Sequence, residues 1–357
     1  MHFRHFAFAG GLAVALTLAQ GRLAAQAQPL RAETKAARAN WTPSRTVDGQ
    51  PDLQGVWANN NATPMERPKE LAGREFLTDA EVAAMKKKAA ELFDGSGDAE
   101  FGDAIFTAVF NAIKAKGPES GSYKKAENGF DGKTGDYSSV WLVSRDWDNR
   151  TSLITDPRDG RLPPMTPEAQ KKQTEALASM TKIPAGPEDR GLSERCITFG
   201  SPRLGAGYNS YYQIVQSRDT VAIEMETIHD TRLIPLDGRP HLPSNIQTWL
   251  GDSRGHWEGD TLVVDTTNYL PNAFMPGSSD KLHIIERFTR TGPERIKYEV
   301  TVDDPATWTK PWTAMIPLSH SRDAIYEYAC HEGNRGMVGI LKGARAEEKA
   351  AAESAAK

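Results

Sequence analysis

Within the segment LHIIERFTR, His283, Glu286 and Arg287 put an imidazole, a carboxylate and a guanidinium on a run otherwise made of Leu282, Ile284, Ile285 and Phe288. Ionisable groups on a stretch built for burial are costly unless paired or used, so chemistry is sought here first. Glu286 or His283 would act as general base, and Arg287 would hold an anion or a developing oxyanion. Six of the eight histidines follow residue 228, and His229, His241, His256, His283 and His331 each lie within three residues of Asp, Glu or Arg. A carboxylate beside an imidazole orients it and raises its basicity, although a turn histidine satisfied by backbone groups has the same local sequence. His256 and His331 are further acid or base candidates, and Tyr326 is a candidate proton donor. Trp257, Arg232, His241 and Tyr298 are expected to line the substrate site.

Other chemistries leave weaker traces. Imidazoles also bind zinc, copper or iron. The chain has no His-x-His, His-Glu-x-x-His or Cys-x-x-Cys, so a metal site would have to be assembled across strands. With no glycine-rich phosphate loop and no nucleotide fingerprint, no organic cofactor is expected. Gly-x-Ser-x-Gly is missing, which argues against a serine hydrolase elbow. Carboxylates for glycoside hydrolysis are available at Glu224, Glu226, Glu286, Glu299 and Asp303, but their separation decides that mechanism.

The elements that must position these groups are mostly strands. Gly259-Asp260 between Gly255–Glu258 and Thr261–Asp265 signals a tight hairpin. Leu282, Ile284, Glu286 and Phe288 alternate with His283, Ile285, Arg287 and Thr289, and Ile296, Tyr298, Val300 and Val302 alternate with Lys297, Glu299, Thr301 and Asp303. Further strands are expected at Gly55–Trp57, Tyr137–Ile154, Tyr211–Val215, Val221–Ile228, Leu233–Leu236 and Ala324–Cys330. About eight to ten hairpin-linked strands favour a mainly β fold, an antiparallel barrel or strongly curled sheet. A helical insertion is expected over about 64–185. It holds a Thr78/Glu81 capping box opening a helix to about Phe93, an apolar stripe from Phe101 to Ile113, and a helix from Thr166-Pro167-Glu168 to about Met180.

The 357-residue chain opens with Arg4, an apolar run from Ala7 to Ala19 and a small-x-small site at Ala25-Gln26-Ala27. This pattern predicts a secretory signal peptide over residues 1–27 and a periplasmic or secreted protein with no membrane span after cleavage. Residues 28–50 read as a mobile lead, 51–345 as a single β-rich domain, and 346–357 as a charged, Ala-rich tail. Cleavage would move the formal net charge from −4 to −6. A mildly acidic chain without basic runs argues against nucleic acid as partner and leaves a small molecule. The only two cysteines, Cys196 and Cys330, are expected to form a disulfide if the compartment is oxidising. The alternative is a nucleophilic or metal-ligating Cys330 beside His331 and Glu332.

Two resemblances sharpen this reading. Gly55-Val56-Trp57 resembles the opening of lipocalin-like (calycin) barrels, which implies that Trp57 plugs one end. The segments GDSRGHWEGDTLVVDTTN, LHIIERFTR and YEYACHEGN resemble those of a large family of exported bacterial proteins, over roughly Asp52 to Arg345. That resemblance implies export and a β-rich fold but no reaction. The function expected is therefore a cofactor-independent lyase, isomerase or hydrolase acting on a small apolar or aromatic compound in a barrel cavity. The alternatives are a periplasmic binding protein for a small hydrophobic ligand and a metal-dependent enzyme using cross-strand histidines.

Overall fold

In the computed structural model, residues 41–92, 104–114, 145–180, 182–206, 209–332 and 334–356 are described. The expected signal peptide and most of the expected lead lie outside them, as does the stretch 137–144 expected to begin a strand. Ten strands form one antiparallel sheet: β1 (Gly55–Ala58), β2 (Ile154–Asp156), β3 (Tyr211–Gln216), β4 (Thr220–Met225), β5 (Thr231–Pro235), β6 (Asp252–Glu258), β7 (Thr261–Thr267), β8 (His283–Gly292), β9 (Arg295–Asp303) and β10 (Trp312–Ser321). The spatial order is β5-β4-β3-β1-β10-β9-β8-β7-β6, with β2 paired to β10 off that path. The sheet curls into a nearly closed barrel, so the fold is mainly β with helical elements.

The path has nine strands, each antiparallel to the next, so its two end strands β5 and β6 run the same way. A parallel pair cannot be joined by a tight hairpin, and the segment 236–251 makes the connection. Among the described residues no ladder joins β5 to β6. The barrel is closed there by side chains. A Cβ on Gly255 would lie 2.7 Å from both Ile234 Cγ2 and Leu236 Cδ2, so the absence of a side chain on β6 lets β5 pack against it.

Alternation decides what fills the barrel. Ile284, Glu286 and Phe288 of β8 and Ile296, Tyr298, Val300 and Val302 of β9 face inward and are buried. With Trp57, Tyr212, Ile214, Leu262, Val264, Trp312 and Ile316 they form one continuous core, as expected of a small barrel whose interior is just wide enough for side chains. Trp57 is fully buried, its indole N–H donates to Leu53 O (2.8 Å), and the Arg290 guanidinium lies 5.4 Å from its ring centre.

The helices are α1 (Asp79–Leu92), α2 (Ala104–Lys114), α3 (Pro167–Met180) and α4 (Arg335–Ala355). The capping box at α1 is formed: Thr78 Oγ1 accepts from the Glu81 N–H (3.2 Å) and Glu81 Oε2 accepts from the Thr78 N–H (2.8 Å). Ile105, Phe106 and Val109 of α2 pack with Leu71, Met85 and Trp147 in a second, smaller core. The tail continues α4 as an exposed helix to Ala355.

One expected strand needs correction, and one strand was not expected. Ala324–Cys330 is irregular chain, although β-favouring in composition, and β10 is supplied instead by Trp312–Ser321. Pro317 hides β10 in the sequence, because proline donates nothing to a ladder. The Met315 N–H points toward β2, bonding Leu153 O (2.8 Å), so the Pro317 nitrogen faces the same side. There β2 has ended and β1, which starts pairing at Ser319, has not begun.

Cys196 and Cys330 form a disulfide with Cα atoms 5.7 Å apart. Among the described residues no helix is long and apolar enough to cross a membrane.

Candidate functional site

The strand parity of β8 separates the three residues that sequence places together. Glu286 points into the barrel and is fully buried, whereas His283 and Arg287 point outward and are partly exposed. Two distinct polar assemblies result.

The inner assembly spans the barrel. Arg232 on β5 forms a two-pronged ion pair with Glu286 on β8: Nη2 donates to Oε1 at 2.8 Å, and Nη1 donates to Oε2. The Tyr298 hydroxyl on β9 also donates to Glu286 Oε1 (2.6 Å), and its ring stacks on Phe288 at 4.3 Å. Both Glu286 oxygens are therefore engaged by donors, in charge-assisted bonds that fix the carboxylate in place. Burial works against the Arg232 charge, but the facing Glu286 carboxylate outweighs it and raises the guanidinium's pKa. Burial, reinforced by the Glu286 charge, raises the Tyr298 hydroxyl well above the usual phenol range, and burial pushes Tyr212 up to about 12. Among the described residues one donor of this assembly lacks a partner: Arg232 Nε, on a side chain 3% exposed.

The outer assembly lies on the solvent side of β6, β7 and β8. His241, on the segment 236–251, contacts Asp252 Oδ2 through Nδ1 (3.0 Å) and Asp265 Oδ1 through Nε2 (3.1 Å). His283 Nε2 approaches the same Asp265 oxygen at 2.9 Å, and Arg254 Nη1 donates to Asp252 Oδ1 (2.7 Å). A carboxylate only accepts, so both His241 bonds are complete only when the ring carries two N–H groups. The bond to Asp265 raises the pKa of His283. Burial alone would raise the Asp265 carboxyl, but the bond and charge of His283 together with His241 hold it below the usual range. Asp265 and Asp252 were not singled out by the sequence reading. The signal for Asp265 is a lone charge in the apolar run Leu262-Val263-Val264, at outward parity.

The remaining candidates are dispersed. His256 and Arg287 share Glu258 on the outer face, at 3.2 Å and 2.7 Å. Trp257 packs its side chain against the core. Tyr326, 60% exposed, sits on the irregular stretch before α4, where its backbone N–H donates to Glu226 Oε1 (3.3 Å). His331 is exposed at the end of that stretch. Among the described residues no group of three or more His, Cys, Asp or Glu side chains is arranged to hold a metal ion.

Concave space lies at the seam. A groove of about 510 Å³ runs between β5 and the start of β6, lined by Ile197, Asp230–Leu233 and Thr248–Ser253. Arg232 belongs to this lining, so the groove meets the inner assembly at the one place where the wall is not laced by backbone bonds. Burial raises the Asp230 carboxyl, which accepts from the Thr198 hydroxyl at 2.7 Å. Trp249 adds an aromatic wall. The sequence analysis places Arg232 at the substrate site but shows no sign of the seam.

Compared with known proteins, the chain matches no family model, no curated protein and no solved structure.

Proposed function

We propose that this is an exported binding protein that takes a small, largely apolar or aromatic molecule into the groove at the β5–β6 seam. The observation that carries the reading is Arg232. Its two terminal nitrogens are committed to Glu286, while Nε has no acceptor among the described residues and Arg232 is one of the residues bordering the groove. A buried donor without a partner costs about 1–3 kcal/mol, and an acceptor on a ligand entering along the seam would offset that cost. Trp249 and Leu233 supply the apolar contact, in a groove within the roughly 300–1,000 Å³ range of small-molecule sites. The barrel centre is filled by side chains, so the guest occupies the wall and not the middle. Export is supported by the secretory pattern at residues 1–27, the motif resemblance and the Cys196–Cys330 disulfide.

A screen of apolar and aromatic compounds by thermal shift and calorimetry tests the reading. Thr231 is exposed and lines the groove, so Thr231→Trp should fill it without disturbing the core. We expect at least one compound class to bind and Thr231→Trp to weaken it about tenfold or more, equivalent to about 1.4 kcal/mol. Binding that ignores this substitution, or a screen without binders, overturns the proposal.

A second reading, an acid–base enzyme, is favoured by one observation: His241 and His283 share a single Asp265 oxygen at 3.1 and 2.9 Å. In that case turnover of a screened compound should collapse in Asp265→Asn and persist in Thr231→Trp.

A further inference from the structure

A second groove, of about 580 Å³, lies where α4 meets the chain before β3, lined by Pro187, Arg195, Ile197, Asn334, Arg335, Met337 and Val338. Its walls are apolar except at Arg195, Asn334 and Arg335. Val338 is half exposed although apolar, and Met337 turns to the same groove. Arg195 and Arg335 bring guanidinium groups, and among the described residues neither donates to a protein acceptor. The nearby carboxylates are either engaged or not part of the lining: Glu194 is bonded by Arg190 (3.1 Å), and Glu188 and Glu332 do not line the groove. The chain as a whole carries a formal net charge of −4, so two uncompensated arginines beside an apolar wall are a local reversal of sign. A guanidinium fork matches a carboxylate in shape and charge.

Ile197 lines this groove and the seam groove alike. The two grooves therefore adjoin at Ile197, with Arg195 and Arg335 at the α4 end and Leu233 and Trp249, among polar neighbours that include Asp230 and Asp252, at the seam. We infer that together they bind a free amphiphilic carboxylate, its head group between Arg195 and Arg335 and its apolar chain passing over Ile197 toward Trp249. This inference rests on the seam groove being the ligand site and adds the chemical class of the ligand.

The test compares sodium dodecanoate with dodecan-1-ol by calorimetry, below the micellar concentration of the acid, on the native protein, R195A/R335A and T231W. The acid should bind about tenfold or more tightly than the alcohol, and R195A/R335A should remove that difference while leaving the alcohol within about twofold. T231W should weaken both. Both arginines lie outside the core, and unchanged thermal unfolding of R195A/R335A would confirm that the variant is folded. Equal affinity for acid and alcohol, or an acid affinity indifferent to R195A/R335A, overturns the inference. Loss of both ligands from the native protein, with an aromatic compound still bound and still displaced by T231W, also overturns it but leaves the seam reading standing. Absence of any binder removes both. Sedimentation with anionic phospholipid vesicles without binding of free dodecanoate would assign the arginines to a lipid surface and overturn the free-acid assignment.

Discussion

Glu286 and Arg287 are neighbours in sequence, and the barrel wall stands between their side chains. Glu286, fully buried, is held by the Arg232 guanidinium and the Tyr298 hydroxyl. Arg287 pairs with Glu258 in a contact where both side chains are more than a third exposed. The residue types are the same on both sides, but the solvent is not. Water screens the outer pair and offers each partner an alternative, so its bond is worth little. In the interior no alternative exists, and removing one partner strands a charge in a low-dielectric core. The inner assembly therefore belongs to the architecture, linking β5, an end strand, to β8 and β9 across the core, while the outer assembly is free to respond to its surroundings.

The most severe disruption should come from Glu286→Ala, which leaves Arg232 charged and unpaired. We expect a loss of about 3–5 kcal/mol in urea unfolding. Replacing both partners, as Arg232→Met with Glu286→Leu, should recover most of that loss, since an apolar pair of similar volume has no charge to strand. A double variant as unstable as Glu286→Ala would mean that the pair does more than neutralise itself.

The seam provides an intermediate case. Gly255→Ala would drive a methyl group to 2.7 Å from Ile234 and Leu236, forcing β5 away from β6. Overpacking of this kind costs about 1–3 kcal/mol. The same change should widen the seam groove and alter ligand affinity, so unfolding and calorimetry on one variant report on both.

The outer assembly should give the smallest effects and the clearest pH signature. His283 has a folded pKa raised above its ordinary 6.5, so its contribution is complete below that value and is lost as the pH rises through the folded pKa. Asp265 has a folded pKa below its ordinary 3.8, so its contribution is present above that value and is lost as the pH falls through the depressed one. Between those limits the pair stabilises most. Asp265→Asn should flatten both limbs of the stability profile and cost on the order of 1 kcal/mol or less near pH 6, measured by thermal unfolding across pH. A profile unchanged by Asp265→Asn would mean that these groups do not interact in solution.

Local rules carried much of the fold. The Gly259 turn, the alternation in β8 and β9 and the Thr78/Glu81 box each state a local structure within a few residues, and each is found. Composition failed at Ala324–Cys330: Ile325, Tyr326 and Tyr328 favour a strand, but the stretch is irregular and its Tyr326 and Tyr328 N–H groups donate to the Glu226 and His229 side chains instead of to a ladder. It failed again at β10, because Pro317 lies in a gap that only the three-dimensional arrangement of β1 and β2 creates. The site was half legible. Alternation placed Glu286 among apolar neighbours and on the opposite side from His283 and Arg287, but which side faced inward was open. Its partner Arg232 is 54 residues away, and no local pattern connects them. The groove is still less visible in sequence, since it depends on counting strands around a closed path.

Binding at the seam is tested most directly by NMR of the Arg232 Nε–H during titration with dodecanoate. Binding in the groove should move that resonance together with the amides of Thr231, Trp249 and Ser253, and leave His283 in place. Shifts confined to the His241–Asp265–His283 face, with the Arg232 resonance unmoved, would contradict it.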